Sequence, residues 1–387
     1  LERITLRPRR GWKGKAEAVG FTFHHMDGAR YWDERAFYAF TLQQIEDHIE
    51  GAAETLHAMC LDLVGEAVKS EALMTRLAIP NSAWDYVAWS WESKEPSLYG
   101  RFDFHYDGSG PARLYEYNAD TPTSLFETAV FQWMWLEDRI ADGALPKHAD
   151  QFNSVYEKLL DRFKAIFPNG GFVHFASDAD AVEDRQTVRF LEDVAAQGGV
   201  EPKFVAIDKI GLDADGRFVD ADNYLIGAIF KLYPWEEMLR EPYAEHLAGA
   251  KAQFIEPAWK AILSNKAILP LLWERHPGHP NLIEAYFEDD EKAAGLGSSY
   301  VRKPLFSREG ANIELVSEGR RAKVLDQGYG EEGWIRQALA APPRFSGHYP
   351  IVGVWMIGDE PAGMGVREDR SRVTKNMSRY VPHAIVG

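Results

Sequence analysis

Cysteine is almost absent from this chain: Cys60 stands alone among 387 residues. That excludes an internal disulfide and leaves no basis for a cysteine-ligated zinc site. Cys60 lies in an apolar helical pattern and reads as a small buried hydrophobe. Long apolar runs are missing too. None approaches the roughly 18 residues of a membrane span, and the basic stretch Leu1–Arg10 lacks the apolar core of a secretion signal. A cytoplasmic location with no membrane partner is therefore expected. Basic charge is scarce, with 43 Lys and Arg against 59 Asp and Glu for a net charge of −16. This excludes nucleic acid, which needs a basic footprint, but it suits a cationic small molecule. Two nucleotide-binding signatures are absent: there is no Gly-x4-Gly-Lys-Ser/Thr loop, and no Gly-x-Gly-x-x-Gly opens a helix after a strand. A nucleotide site in this chain must be built in another way.

What is present describes a folded α/β protein of mixed α+β character. At roughly 150 residues per domain, the length allows two or three packed units. Apolar periodicity through Phe37, Phe40, Ile45, Ile49, Leu56, Met59 and Leu63 predicts a helix over 37–70, broken or bent at Gly51. Further helices are expected over 124–140, 152–167, 184–196, 235–247 and 259–273, the last containing Lys266. Strands are expected at 172–175, 203–207 and 224–230, a short βαβ-like unit. More strands follow at 300–302, 313–316, 351–357 and 364–366. The resulting division is 1–95, a helical N-terminal part; 96–150, a hairpin and helix; 151–250, a small parallel-sheet unit; and 251–387, a lid and C-terminal strands.

Between Arg101 and Asp120 the period changes to two. Arg101-Phe102-Asp103-Phe104-His105-Tyr106 and Leu114-Tyr115-Glu116-Tyr117-Asn118 alternate polar and apolar around the turn-rich Asp107–Pro111. This is a β-hairpin. If Asp103 faces Glu116, then Arg101 faces Asn118, and all four project from one face. The other face would carry Phe102, Phe104, Tyr115 and Tyr117 in opposed pairs. Opposed carboxylates repel unless a cation lies between them. Asp103, Glu116 and Asn118 offer oxygen ligands suited to magnesium. A solvated polar face with an Arg101–Asp103 ion pair fits the spacing as well, and the aromatic opposite face, which buries the hairpin, favours the cation. The turn Asn118–Ser124 is rich in caps and could hold an anion or simply start a helix.

Two lysines and one arginine complete the candidates. Lys303 ends a strand before Ser307-Arg308-Glu309-Gly310, the layout of a phosphate-covering flap. Lys266 lies in a mixed apolar stretch, and Arg367 follows a strand in which Gly363 and Gly365 admit close backbone approach.

Together these segments resemble the synthetase domain of glutathionylspermidine synthase, and more nearly its stand-alone acid–amine ligase relatives. The resemblance rests on Leu98–Asp103, Tyr115–Leu125, Ser264–Ala267, Tyr300–Pro304 with Ser307–Gly310, Gly363–Asp369 and Ser378–His383. It implies an ATP-grasp fold with a preATP-grasp domain, and ATP and magnesium as cofactors. It implies that Asp103, Glu116 and Asn118 hold the metal. Arg101, Phe102, Asp103, Lys266, Lys303, Glu309, Gly310 and the run Arg336, Gln337, Ala338 and Leu339 would meet ATP. Arg101, Arg308 and Arg367 would stabilise the acyl phosphate, and Thr121, Thr123, Glu183 and Asp184 would meet substrate. The partners implied are a glutathione- or peptide-like acid and a polyamine-like amine. Leu232 stands where that family has a threonine that contacts glutathione. Cys60 is no counterpart of an amidase nucleophile, so no amidase activity is expected.

The residues also admit two other functions. One is a regulatory protein that keeps the nucleotide site without ligase turnover. The other is a carbohydrate hydrolase, but glycosidase carboxyl pairs stand about 5–9.5 Å apart across a cleft. Opposed hairpin residues sit about 4.5–5.5 Å apart at Cβ, which suits one shared ion.

Overall fold

The computed structural model describes residues 1–26, 28–308, 310–323, 327–373 and 378–387. Its centre is a five-stranded antiparallel sheet in the order 379–381, 360–369, 349–357, 99–105, 113–118. The strand Tyr99–His105 lies inside this sheet, and every residue of it is buried. The hairpin register pairs Arg101 with Asn118 and Asp103 with Glu116. A bulge then follows Asp103, so Phe104 faces Leu114. The expected Phe104–Tyr115 pair is therefore not formed, because a bulge sets two residues against one. Phe102 does stack on Tyr117, with centroids 3.9 Å apart.

Each face of the central sheet packs on its own core. Phe102, Val352, Val354, Met356 and Met364 pack with the helices Gly51–Ala67 and Ile268–Arg275. Tyr99, Trp355 and Ile357 pack on the other side with the helices Gln132–Ala141 and Val155–Ile166 and with a parallel sheet. That sheet has the order 253–255, 228–231, 171–177, 200–206, and the helix Val182–Gln197 links its two longest strands. This is the βαβ unit expected from the sequence, with the first two strands longer and the third shortened to Ala228–Lys231. A second five-stranded antiparallel sheet, in the order 285–287, 334–338, 300–304, 314–317, 320–323, carries Lys303.

Three helix expectations are corrected. Ala36–Phe40 is a strand, fully buried, which pairs antiparallel with Glu2–Thr5 and parallel with His383–Ile385. Phe37 and Phe40 fit helical spacing, but a short apolar run buried on both faces does not distinguish the two periods. The helical segment begins as a π-helix over Gln44–Glu50 and passes unbroken through Gly51 into Gly51–Ala67. The expected helix 235–247 shrinks to Trp235–Met238 and a 3₁₀ segment at Pro242–His246, since Pro242 has no N–H to continue an α-helix. The expected helix 259–273 is split into Lys260–Leu263 and Ile268–Arg275. Asn265 causes the break: its Oδ1 accepts from Ala267 N at 2.7 Å and its Nδ2 donates to Leu77 O at 2.7 Å. Such side-chain bonds compete with the helical ladder. Among the described residues no helix is long and apolar enough to cross a membrane.

Gly363 pairs with Trp355 where the central sheet meets the helix Val155–Ile166. A Cβ there would lie 2.8 Å from Val155 Cγ2 and 3.0 Å from Phe152 O. Gly363→Ala is therefore expected to destabilise the fold by about 1–3 kcal/mol through overpacking, read as a lower midpoint in urea unfolding.

Candidate functional site

The polar face of the hairpin stands between two adjoining recesses that share Glu116 and Gly310. The larger cleft is polar. The hairpin end, the turn 119–124, Lys266, Ser307, Arg308 and Arg367 form its walls, with Glu183 and Asp184 from the first turn of the helix Val182–Gln197. The narrower recess is an apolar slot formed by Val301, Ile313, Leu315 and Ile351, with Lys303 and Asp103 at its polar end.

Asp103 is the most heavily bonded group of the site. Arg101 Nε and Nη2 donate to its two oxygens at 2.8 and 3.2 Å, and Arg367 Nη2 donates to Oδ2 at 2.6 Å. Burial alone would raise this carboxyl, but the two guanidiniums hold it below the usual carboxylate range. Arg367 reaches Asp103 from the second strand over, because Gly353, paired with Asp103 on the strand between, has no side chain. A Cβ at Gly353 would lie 3.0 Å from Arg101 Cδ and 3.3 Å from Asp103 Oδ1. Arg101 also donates to Thr123 O at 2.7 Å, which ties the turn to the hairpin.

Asn118 Nδ2 sits 3.3 Å from Asp103 Oδ2 and 3.5 Å from Glu116 Oε1. An amide nitrogen between two carboxylates occupies the place of a cation, and a turn of the amide would present its oxygen. Among the described residues no three His, Cys, Asp or Glu side chains form a closed metal cage. Two carboxylates and an amide fit a hard cation that completes its shell with water and ligand phosphate.

Both lysines lie beside Glu116. The break at Asn265 puts Lys266 on a turn, with its N–H on Leu305 O at 2.9 Å. Its ammonium donates to Ser307 O at 2.9 Å and lies 3.6 Å from Glu116 Oε2. Lys303 donates to Tyr115 O at 2.9 Å and Gln337 Oε1 at 2.8 Å. Burial pushes its ammonium down to about 8, opposed by Glu116 and Asp103 and reinforced by Lys266. Arg308 donates to Thr121 Oγ1 at 2.7 Å and lies 3.7 Å from Glu236, so it bridges the turn and the far wall.

The structure thus gathers Arg101, Asp103, Glu116, Asn118, Thr121, Thr123, Lys266, Lys303, Arg308, Gly310 and Arg367 around two recesses. Gln337, Ala338 and Leu339 line the slot. Phe102 points to the opposite face and stacks on Tyr117. The Arg336 side chain is bound to Glu288 at 3.1 Å, away from the slot. Glu309 lies outside the described residues. Leu232 is buried in core and lines neither recess. The sequence reading missed Glu236, which lines the cleft and whose carboxyl burial raises, opposed by Arg308. It also missed the buried pair Lys231–Asp120, 2.6 Å apart, which fixes the turn from below. A lysine inside the apolar run 228–232 was the available signal for that pair.

A model of the glutathionylspermidine synthase preATP-grasp family matches residues 3–386. The chain belongs to this family. A Haemophilus influenzae protein provisionally named acid–amine ligase is 41% identical over 381 residues, covering 95% of each chain. The trypanothione synthetase of Crithidia fasciculata is 30% identical over 82% of this chain and 52% of its own. The bifunctional glutathionylspermidine synthetase/amidase of Escherichia coli is 28% identical over 92% of this chain and 60% of its own. The chain thus spans only half to three-fifths of the length of these last two relatives. A solved glutathione synthetase-like effector from Globodera pallida shares the fold, with a TM-score of 0.56 at 11% identity over 90% of this chain and 89% of its own. The fold is of the ATP-grasp type, and family membership makes the chain an enzyme of the acid–amine ligase class.

Asp103 is the only carboxylate bound to both Arg101 and Arg367 among the described residues. Asp103→Ala strands two buried or half-buried guanidiniums and is expected to cost about 3 kcal/mol of stability, measured by chemical denaturation.

Proposed function

We propose that this protein uses ATP and magnesium to activate a carboxylate as an acyl phosphate, which an amine then captures as an amide. The observation that carries this reading is the cross-strand pair of buried Asp103 and half-buried Glu116, flanked by Arg101, Arg367, Lys266 and Lys303, where an apolar slot opens into a polar cleft. A slot of this kind suits a nucleotide base, with Gln337–Leu339 along its side. The two lysines lie where β- and γ-phosphates would follow. Asp103, Glu116 and Asn118 would hold magnesium, which when bound offsets phosphate charge. Arg101, Arg308 and Arg367 supply the fixed cations that favour charge developing on the transferred phosphoryl group. The turn Thr121–Thr123, tied down by Arg101 and Asp120, positions the acid. Glu183, Asp184 and Glu236 give the cleft an acidic wall that favours a cationic amine.

Within this reading, residues 151–250 form the preATP-grasp unit and 251–387 the lid and the C-terminal strands, with the sheet that carries Lys303 over the nucleotide. The acid is glutathione- or peptide-like and the amine polyamine-like, consistent with the names of the relatives. Leu232, buried away from the cleft, offers no contact of the threonine kind.

The test is a phosphate-release screen with ATP, magnesium, glutathione, short peptides and polyamines, with products identified by mass spectrometry. One stoichiometric amide is expected, and Glu116→Ala should abolish it. Undiminished turnover of that variant would overturn the proposal. Tight ATP binding with no amide from any pair would instead identify a nucleotide-binding regulator.

Lys303 gives a second expectation. Its folded pKa of about 8 lies below the ordinary lysine value, so its charge is lost first as pH rises. ATP affinity should fall as pH rises through about 8, and Lys303→Met should remove that pH dependence in calorimetric titrations.

A further inference from the structure

Amide formation from an ammonium needs somewhere to put a proton, and the cleft wall holds a group that the reading above does not use. Tyr31 lines the cleft, and its hydroxyl donates to Glu127 Oε1 at 2.6 Å. Glu127 opens the π-helical turn Glu127–Phe131 and is 1% exposed. Tyr31 is the hydrogen-bond partner of its carboxyl, and no salt bridge to Glu127 is found among the described residues. Burying a carboxyl without a cation is costly, and an apolar side chain would serve the surrounding core of Phe131 and Trp135 better. The groups facing this carboxyl are Tyr31 from the N-terminal segment, Glu183 from the helix Val182–Gln197, Arg101 from the hairpin and Tyr380 from the strand Arg379–Val381. Arg367 faces Tyr31.

We propose that Tyr31 and Glu127 form a proton relay that deprotonates the incoming amine. This rests on the ligase reading. An alkylammonium beside Glu183 gives one proton to the Tyr31 oxygen while Tyr31 passes its own to Glu127 Oε1. The freed nitrogen lone pair forms the C–N bond to the acyl carbon, and the C–O bond to phosphate breaks. A second proton from nitrogen leaves on the departing phosphate, and the amide keeps the third. Glu127 returns its proton to solvent through Tyr31 as product leaves.

The environment is suited to that task. Burial, then the neighbouring Glu183, push the Glu127 carboxyl up to about 8, with Tyr31 and Arg101 opposing. A base works best when its pKa lies near the working pH. Glu127 acts through Tyr31, so the test needs a readout that a structural role would not move. Hydroxylamine supplies it, because its nitrogen is neutral near neutral pH and captures an acyl phosphate without a base.

The experiment compares hydroxamate formation with amide formation in the wild type, Tyr31→Phe and Glu127→Gln. The acids are glutathione and short peptides, and the amines are spermidine and simple alkyl diamines. In both variants the amide-to-hydroxamate ratio should fall by about a hundredfold. The wild-type amide rate should rise with pH through about 8 as Glu127 ionises, and Glu127→Gln should lose that limb. Equal falls in both products, or an unchanged pH limb in both variants, would overturn the relay and leave the ligase reading intact. Wild-type hydroxamate without amide from any of these amines would also overturn the relay. No hydroxamate at all from the wild type would overturn the ligase reading itself.

Discussion

The contact of Asp103 with Arg101 and Arg367 is the constraint around which the site is organised. Asp103 sits inside the central sheet, where a lone carboxylate would be strongly disfavoured. Two guanidiniums offset that cost, and their geometry depends on what is missing between them. Gly353 separates the hairpin strand from the strand that carries Arg367, and its bare Cα opens the path for the arginine. Arg101 then extends the constraint outward by holding Thr123 O. One buried ionic cluster therefore spans three strands of the sheet, ties down the turn and fixes the charge balance at the junction of the two recesses.

This arrangement also gathers cations and acids at different walls of the cleft. The cations Lys266, Lys303, Arg308 and Arg367 gather near the hairpin and the flap. The acidic groups Glu183, Asp184 and Glu236 gather on the far wall of the same cleft. A net-acidic protein thus keeps a concentrated basic pole at the site where phosphate charge would lie. Arg308 touches both poles through Thr121 and Glu236, so the distribution is knit together across the cleft rather than left as two separate patches.

The hairpin was legible in the sequence because its logic is local. Alternation over a few residues fixes which side chains share a face, and one assumed pair fixes the rest until a bulge intervenes. The bulge after Asp103 could not be read, since nothing in Phe104 or Tyr115 announces the extra residue. The strand Ala36–Phe40 was misread because its burial comes from the two chain ends, strands 2–5 and 383–385, which lie far away in sequence. The break at Asn265 was hidden because its side chain bonds both the nearby Ala267 N and the distant Leu77 O. The family resemblance could be read from short motifs, whereas Gly353, Glu236 and the Tyr31–Glu127 contact depend on tertiary juxtaposition that no local spacing encodes.

Two of the buried acids at the site, Asp103 and Glu127, illustrate how environment assigns chemistry to one functional group. Asp103 and Glu127 are both almost wholly removed from solvent. Asp103 has two guanidinium partners and stays ionised, which suits a fixed charge that organises cations and a metal. Burial and then a second carboxylate, Glu183, raise the Glu127 carboxyl, and its tyrosine hydroxyl partner offsets this only in part, so its proton is held far more tightly. A carboxylate that never takes up a proton cannot act as a base near neutral pH, and one that exchanges it there is poorly suited to anchor a cation. The neighbours that differ, Arg367 for one and Glu183 for the other, separate the anchoring charge from the exchangeable proton, although the charge of Arg101 bears on both.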